Sequence, residues 1–206
     1  IEAFEFVIAI NGNECHYALY AVANSYFNIG NYERAEEYYH IIHEHYPETV
    51  DPLFHMGMCR VNRGDDDGAI DFFTQALTTI PEGSTEQAQI YSQMSLIFSR
   101  KGQHAKAVNY TNEALRIYPK NAELIIMKGH ELLCQGMYEE AIDHFLQALE
   151  SDAENIERSL FLISVSMLEN GNCEMSHYIL RLLKDNPAIE AEILYPYLCY
   201  REWALR

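Results

Sequence analysis

Apolar and small residues recur along the chain at spacings of three and four, interrupted by polar positions. The first such run reads Leu19-x2-Val22-Ala23-x2-Tyr26. Four further runs of the same form begin at Leu53, Tyr91, Ile125 and Leu160. Because spacings of three and four place side chains on one face of an α-helix, each run predicts an amphipathic helix with a small residue within its packing face.

A glycine follows each of these predicted helices, and a second amphipathic segment follows each glycine. The glycines are Gly30, Gly64, Gly102, Gly136 and Gly171, at intervals of 34, 38, 34 and 35 residues. Alanine stands five residues after the first four, and Ser176 stands five residues after the last. Proline closes four of the segments, at Pro47, Pro81, Pro119 and Pro187. Glycine can adopt the positive φ that ends a helix, and proline cannot donate to a continuing helix. The pattern therefore predicts five units of helix, tight turn and helix.

These features resemble the tetratricopeptide repeat family. The marks that carry the resemblance are the recurring alanines, aromatic residues and prolines, together with small residues at Ala23, Gly57, Ser95, Gly129 and Ser164. The resemblance implies an all-α fold, a right-handed α-solenoid of stacked helix-turn-helix units. A single unit cannot bury its apolar face alone, so stacking supplies the core. We predict repeats at residues 16–49, 50–83, 88–121, 122–155 and 157–187.

Three departures from the family pattern qualify this prediction. Thr111 replaces the aromatic residue of the third repeat, and Lys128 occupies a position where an apolar residue is expected. The fifth repeat departs most from the pattern. It therefore represents either a less stable repeat or the beginning of a capping region.

Both ends of the chain are also predicted to be helical. Residues 1–15 read either as the tail of an upstream repeat or as an N-terminal cap. Residues 188–206 form a helical segment kinked at Pro196, whose Trp203 and Leu205 would pack on the fifth repeat or on something outside this chain. The chain starts at Ile1 without a methionine. We therefore expect a piece of a longer protein or a processed form.

The composition narrows the classes of partner. The 206 residues carry 31 acids against 14 bases, a formal net charge of -17. That charge repels phosphate backbones and anionic lipid, so nucleic acid is not an expected partner. It favours basic or apolar ligands, although solubility alone also accounts for it. No apolar run reaches the roughly 18 residues that a membrane span needs, so membrane insertion is not expected. Five scattered cysteines without a CxxC motif suit a reducing, cytoplasmic location.

Motifs for catalysis or cofactor binding are not found in the sequence. It contains no HExxH, GxSxG, P-loop or GxGxxG pattern, so neither an enzyme nor a cofactor is expected. The three aspartates at 65–67 lack the alternation of an EF-hand and are predicted to cap a helix. His40 and His43 could share a metal with His45 or Glu44. Their place near a helix C-terminus favours a structural or solvated role, so no metal is predicted. The glycosylation triplet at Asn109 lies inside a predicted helix and is discounted.

In the tetratricopeptide repeat family, the first helices of successive repeats line a concave groove that binds extended peptides or helices. Helical geometry identifies the side chains between the packing positions as the groove lining. The predicted groove residues are Tyr20, Asn24, Phe27, Phe54, His55, Met58, Val61, Gln93, Leu96, Ile126, His130 and Leu133. The same geometry adds Asn28, Gln89, Arg100, Met127, Phe161, Val165 and Leu168.

Some members of the family clamp the C-terminal carboxylate of a chaperone tail with lysine, asparagine and arginine. The matching positions here are Tyr20, Asn24, His55, Gln89 and Gln93, of which only Asn24 agrees. Without a cation the carboxylate loses its charge-assisted partner, so no chaperone-tail clamp is expected.

Two functional interpretations remain open, and a third requires an additional finding. The first is a non-enzymatic scaffold or adaptor whose apolar, aromatic groove binds an apolar or amphipathic segment of a partner protein. A chaperone-like variant resembling bacterial secretion chaperones belongs to the same class. The second is a structural segment of a larger protein that fills its own groove. A metal-dependent enzyme would require a metal bound through His40 and His43.

Overall fold

The computed structural model describes residues 1–11, 15–47, 49–151, 156–174, 176–177 and 180, and the regular structure in these ranges is entirely α-helical. The helices with described bounds are α1 (Glu2–Asn11), α2 (His16–Asn28), α3 (Tyr32–His45), α4 (Asp51–Asn62), α5 (Asp66–Thr79), α6 (Thr85–Arg100), α7 (His104–Ile117), α8 (Ala122–Cys134), α9 (Tyr138–Ser151) and α10 (Ile156–Glu169). The end of the fifth predicted repeat and the predicted kink at Pro196 lie outside the described residues.

Neighbouring helices pack on one another within two compact units, and the division between the units falls inside α6. The first unit is Ile1–Ile97, in which α1 packs on α2, α2 on α3, α3 on α4 and α4 on α5. The second unit begins at Phe98, and in it α7 packs on α8, α8 on α9 and α9 on α10. The predicted repetition of helix, tight turn and helix is confirmed.

The turn glycines end the first helix of each repeat with one recurring hydrogen-bond pattern. At the second repeat the amide of Gly64 donates to the Val61 carbonyl oxygen (3.0 Å), and that of Asp65 donates to the Arg60 carbonyl oxygen (2.9 Å). This pair of bonds, the Schellman motif, requires a left-handed residue, and Gly64 has a φ of 77°. The same bonds and positive φ values recur at Gly30, Gly102, Gly136 and Gly171. The predicted role of these glycines is confirmed.

The small residue of the first helix meets the aromatic residue of the second helix in van der Waals contact. A Cβ atom added to Gly57 would overlap the ring of Phe73, and one added to Gly129 would lie 2.6 Å from the ring of Phe145. Both rings are fully buried. The glycines therefore allow α4 to approach α5, and α8 to approach α9, as closely as these rings permit. At these two positions, the contact explains why the sequence pattern has a small residue.

Buried polar contacts join neighbouring elements in a way that the sequence pattern does not reveal. The side chain of Glu36 in α3 is 13% exposed and accepts hydrogen bonds from Arg60 of α4 (Nε, 2.8 Å) and from Arg63, which follows α4 (Nη1, 3.0 Å). Asp65 accepts from the amide of Gly68 (3.0 Å), so the predicted helix cap is confirmed, and it also accepts from Arg60. These contacts stabilise the junction of the first and second repeats.

A carboxylate of the N-terminal helix contacts the first repeat. Oε1 of Glu5 accepts hydrogen bonds from the hydroxyls of Tyr26 (2.8 Å) and Tyr38 (3.1 Å), whose rings stack on each other. α1 therefore contacts both helices of the first repeat through this polar contact.

Glu131 of α8 makes the corresponding contact in the second unit. It is 4% exposed and accepts hydrogen bonds from Ser99 Oγ (2.6 Å) and from His104 Nδ1 (2.8 Å), on either side of the turn between α6 and α7. Burial alone would raise the pKa of Glu131, but hydrogen bonds from His130, Ser99 and His104 outweigh burial and hold this pKa below its usual value. The carboxylate is thus a charged anchor for that turn.

We expect Gly57→Ala to destabilise the protein by about 1–3 kcal/mol, because the added methyl group overlaps the Phe73 ring. This loss exceeds the gain of about 1 kcal/mol that alanine usually brings to a helix interior. Combining the change with Phe73→Leu should cost less than the sum of the two single changes in urea unfolding.

Gly64→Ala is the control for this coupling. Its Cβ would contact nothing, so its loss of about 1–2 kcal/mol comes from the positive φ alone. That loss should add to the loss from Phe73→Leu. Additive losses for Gly57 and Phe73 would contradict the contact.

Because the folded-state pKa of Glu131 is lowered, its contribution to stability is present above the unfolded pKa of about 4.5 and is lost as pH falls through the folded pKa. We expect wild type to be more stable than Glu131→Gln at pH 7, by about 1–3 kcal/mol. This advantage should shrink in urea unfolding measured below pH 4.5. An advantage that does not depend on pH would contradict a charged anchor.

Candidate functional site

The predicted groove residues of the first two repeats lie together on one side of α2 and α4. The rings of Phe27 and His55 are 6.2 Å apart, centroid to centroid, and those of His55 and Phe54 are 5.5 Å apart. Tyr20 extends the row on α2. We call Tyr20, Phe27, Phe54 and His55 the aromatic face. Each of these side chains is half-buried, so one side of each is packed and the other is accessible.

Tyr39 of α3 packs against the buried side of the aromatic face. Its ring is fully buried and stacks on His55 at 4.9 Å with an interplanar angle of 9°. Burial raises the pKa of Tyr39, so its hydroxyl stays protonated and donates to Oδ1 of Asn24 (2.6 Å). That bond orients the amide of Asn24, which is exposed beside the aromatic face. Helical spacing identifies Asn24 as a groove residue, but it gives no sign that Tyr39 orients the Asn24 amide.

The charge at this site comes from Asp51, in the first turn of α4. Burial, followed by the charge of Asp51, raises the pKa of Tyr20 to about 12. Burial lowers the pKa of His55, although Asp51 opposes this shift with its Oδ1 3.6 Å from His55 Nε2. At neutral pH Tyr20 and His55 are therefore uncharged.

A cavity of about 400 Å³ adjoins the aromatic face within the first unit, and we call it the α4–α6 cavity. It lies between the first turns of α4 and α6 and the end of α5. Its lining consists of Val50, Asp51, Phe54, Ile80, Pro81, Ser84, Glu86 and Gln89. Phe54 belongs to both the cavity and the aromatic face, so the two form one site.

The remaining predicted residues of the first unit flank this site. Met58 and Val61 of α4 and Gln93 of α6 are half-buried, and Leu96 of α6 is 40% exposed. Asn28 and Gln89 are exposed. All of these side chains retain surface that a ligand could contact.

The predicted residues of the second unit keep accessible surface except at Ile126: Met127, Phe161, Val165 and Leu168 are half-buried, and Arg100 is exposed. Ile126 is fully buried, in a core that includes Phe145 of α9 and Ile163 of α10. Leu133 packs against the same core, while His130 is exposed, with its Nδ1 3.4 Å from Glu131. Helical spacing assigned Ile126 to the groove, but α10 packs against α8 and its Ile163 shares that core. Ile126 therefore offers no surface to a ligand in this conformation.

Neither a metal site nor a membrane-spanning helix is found among the described residues. They contain no group of three His, Cys, Asp or Glu side chains arranged to hold a metal ion. His40 is exposed and lies 3.4 Å from Glu44, whereas His43 is half-buried. In this part of the chain, no helix has both the length and the apolar character needed to cross a bilayer.

Comparison with known protein families identifies the architecture. Family models described as tetratricopeptide repeat match residues 17–49, 53–82, 88–121 and 122–155, more than half of the chain. The chain belongs to the tetratricopeptide repeat family. The resemblance inferred from the small residues, alanines, aromatic residues and prolines is thereby confirmed.

Curated tetratricopeptide repeat relatives match at modest identity. The chain is 25% identical over 145 residues to the CTR9 homolog of Arabidopsis thaliana, covering 68% of the chain and 13% of that protein. It is 28% identical over 142 residues to the BBSome complex member BBS4 of Bos taurus, covering 69% of the chain and 26% of that protein. The chain spans at most 26% of the length of these relatives.

Solved tetratricopeptide repeat structures share the fold over most of the chain. YrrB, described as a TPR protein with an unusual peptide-binding site, has a TM-score of 0.72 at 20% identity, covering 96% of this chain and 98% of that one. A tetratricopeptide repeat protein from Parabacteroides merdae has a TM-score of 0.78 at 21% identity, covering 88% and 70%. MamA from Desulfovibrio magneticus has a TM-score of 0.75 at 15% identity, covering 84% and 94%. These likenesses show the fold.

Ile126 is buried and Leu96 is 40% exposed, and this difference in burial can be tested directly by mutation. Ile126→Asp places a charge in the core of the second unit and should destabilise the protein by more than about 4 kcal/mol. Leu96→Asp makes the same chemical change at a side chain that is 40% exposed and should alter stability by about 0.5 kcal/mol or less. Thermal and urea unfolding measure both. Similar losses in the two variants would contradict the assignment.

Proposed function

We propose that this chain is a non-enzymatic interaction module that binds a peptide or helix of a partner protein on the aromatic face and the adjoining cavity. The observation that carries the proposal is the row of half-exposed rings at Tyr20, Phe27, Phe54 and His55, continued by Met58 on α4. Apolar surface of this kind usually marks a binding site, and helical grooves commonly bind extended or helical segments.

The chemistry of the face supports an apolar or amphipathic ligand. Aromatic side chains provide a large contact area, and methionine adapts to ligands of varied shape. The similarity to YrrB, described as having a peptide-binding site, adds support by analogy. The acidic balance of 31 acids against 14 bases disfavours nucleic acid as the ligand.

Two further features suit a non-catalytic module in a reducing compartment. The tetratricopeptide repeat fold typically serves protein interaction rather than catalysis. The described cysteines Cys15, Cys59, Cys134 and Cys173 are free thiols. Burial raises the pKa of Cys59 to about 12, which makes this thiol unreactive. We therefore propose the cytoplasm as the location of this module.

The proposal predicts that Phe54→Asp abolishes partner binding and leaves most of the stability intact. The partner is captured with a photo-crosslinking amino acid at Met58, and mass spectrometry identifies the crosslinked protein. Phe54→Asp should remove that crosslink, because a charge would replace the ring at the centre of the site. Leu146→Asp is the matched control, since Leu146 of α9 is 46% exposed and lies outside the site. This control should retain the crosslink.

The same variants distinguish a groove that the chain itself fills. In that case Phe54→Asp would unfold the protein at a much lower temperature than Leu146→Asp, and Met58 would crosslink to this chain. That result would contradict the interaction module.

A further inference from the structure

The lining of the α4–α6 cavity combines apolar side chains with two carboxylates. Val50, Phe54 and Ile80 supply apolar surface, whereas Asp51 and Glu86 supply the charges. Its volume of about 400 Å³ falls within the range of about 300–1,000 Å³ that is typical of ligand clefts. The cavity is therefore large enough to hold one large apolar side chain.

The two carboxylates have no cationic partner among the described residues. Within the described ranges, neither Asp51 nor Glu86 forms an ion pair with arginine or lysine. Asp51 contacts His55, which is neutral at pH 7 because burial lowers its pKa. Glu36, also in the first unit, is instead bound by two arginines. Two arginines thus pair with Glu36, which has a structural role, whereas the carboxylates of Asp51 and Glu86 remain available to bind a cation of a ligand.

The dipoles of α4 and α6 reduce this negative charge without removing it. Asp51 and Glu86 stand in the first turns of these helices. A helix N-terminus carries about half a positive charge. Two carboxylates and two such termini therefore leave about one net negative charge beside the apolar lining. The exposed Asp51 and Glu86 side chains can approach a ligand's cation without the large desolvation cost of a buried pair.

We propose that the partner segment inserts an apolar side chain into the α4–α6 cavity while flanking lysine or arginine side chains bind Asp51 and Glu86. This inference rests on the proposed function and specifies its ligand as a basic, apolar peptide. The apolar side chain supplies most of the affinity, because exposed ion pairs contribute little. The carboxylates supply specificity, because an acidic flanking residue would meet charge of its own sign.

Selection from a library of random peptides displayed on phage tests the inference on the complete 206-residue chain. Wild type should enrich peptides in which lysine or arginine flanks a large apolar residue. The double variant Asp51→Asn/Glu86→Gln should still enrich apolar peptides but lose the basic preference. The control Asp71→Asn/Glu140→Gln removes the same charge at exposed positions outside the cavity and should select as wild type does.

A selected peptide is then measured by fluorescence anisotropy. Binding to Asp51→Asn/Glu86→Gln should be about 2- to 30-fold weaker than to wild type, and wild-type affinity alone should fall markedly with added salt. Enrichment of neutral or acidic peptides, or equal affinities for the two proteins, would overturn this inference and leave the proposed function standing. If no selected peptide requires Phe54, the proposed function fails as well.

Discussion

A helical hairpin of this chain buries its apolar surface only against other helices, and in the second and fourth repeats the closeness of that packing depends on contacts between a glycine and an aromatic ring. Gly57 and Gly129 allow the rings of Phe73 and Phe145 to lie against the opposite helix backbone. Because the ring fills the space between paired helices, the two helices of a repeat cannot shift without opening a gap or a clash. The turn glycines end the first helix of each repeat with the same hydrogen bonds and the same positive φ, so the second helix starts from an equivalent turn each time.

This packing leaves a different surface on the two units. In the first unit the side chains between the packing positions of α2 and α4 are aromatic, and Tyr39 supports them from below through His55 and Asn24. In the second unit the core of α8, α9 and α10 includes Ile126 itself. The binding chemistry that we propose is therefore concentrated in the first unit, where apolar surface and unneutralised carboxylates lie next to each other.

The sequence predicted features that repeat, because repetition makes them visible against the rest of the chain. The turn glycines and the small residue at Gly57 belong to this class, whereas the Asp65 cap was predicted from the three consecutive aspartates at 65–67. Contacts that do not repeat could not be predicted in this way. Glu36 meets Arg60 at a separation of 24 residues, and Glu131 meets Ser99 at a separation of 32. For Ile126 helical spacing gave the direction of the side chain, but whether a neighbouring helix also packs there depends on tertiary structure.

The central claim is that one side of the first unit is built to bind a segment of another protein. A crystal structure of the chain with a selected peptide tests this claim most directly. Our account predicts that the peptide lies along α2, α4 and the first turns of α6, with an apolar side chain against Phe54 and a basic side chain near Asp51. A peptide bound elsewhere, or another segment of this chain lying on the aromatic face, would contradict the account.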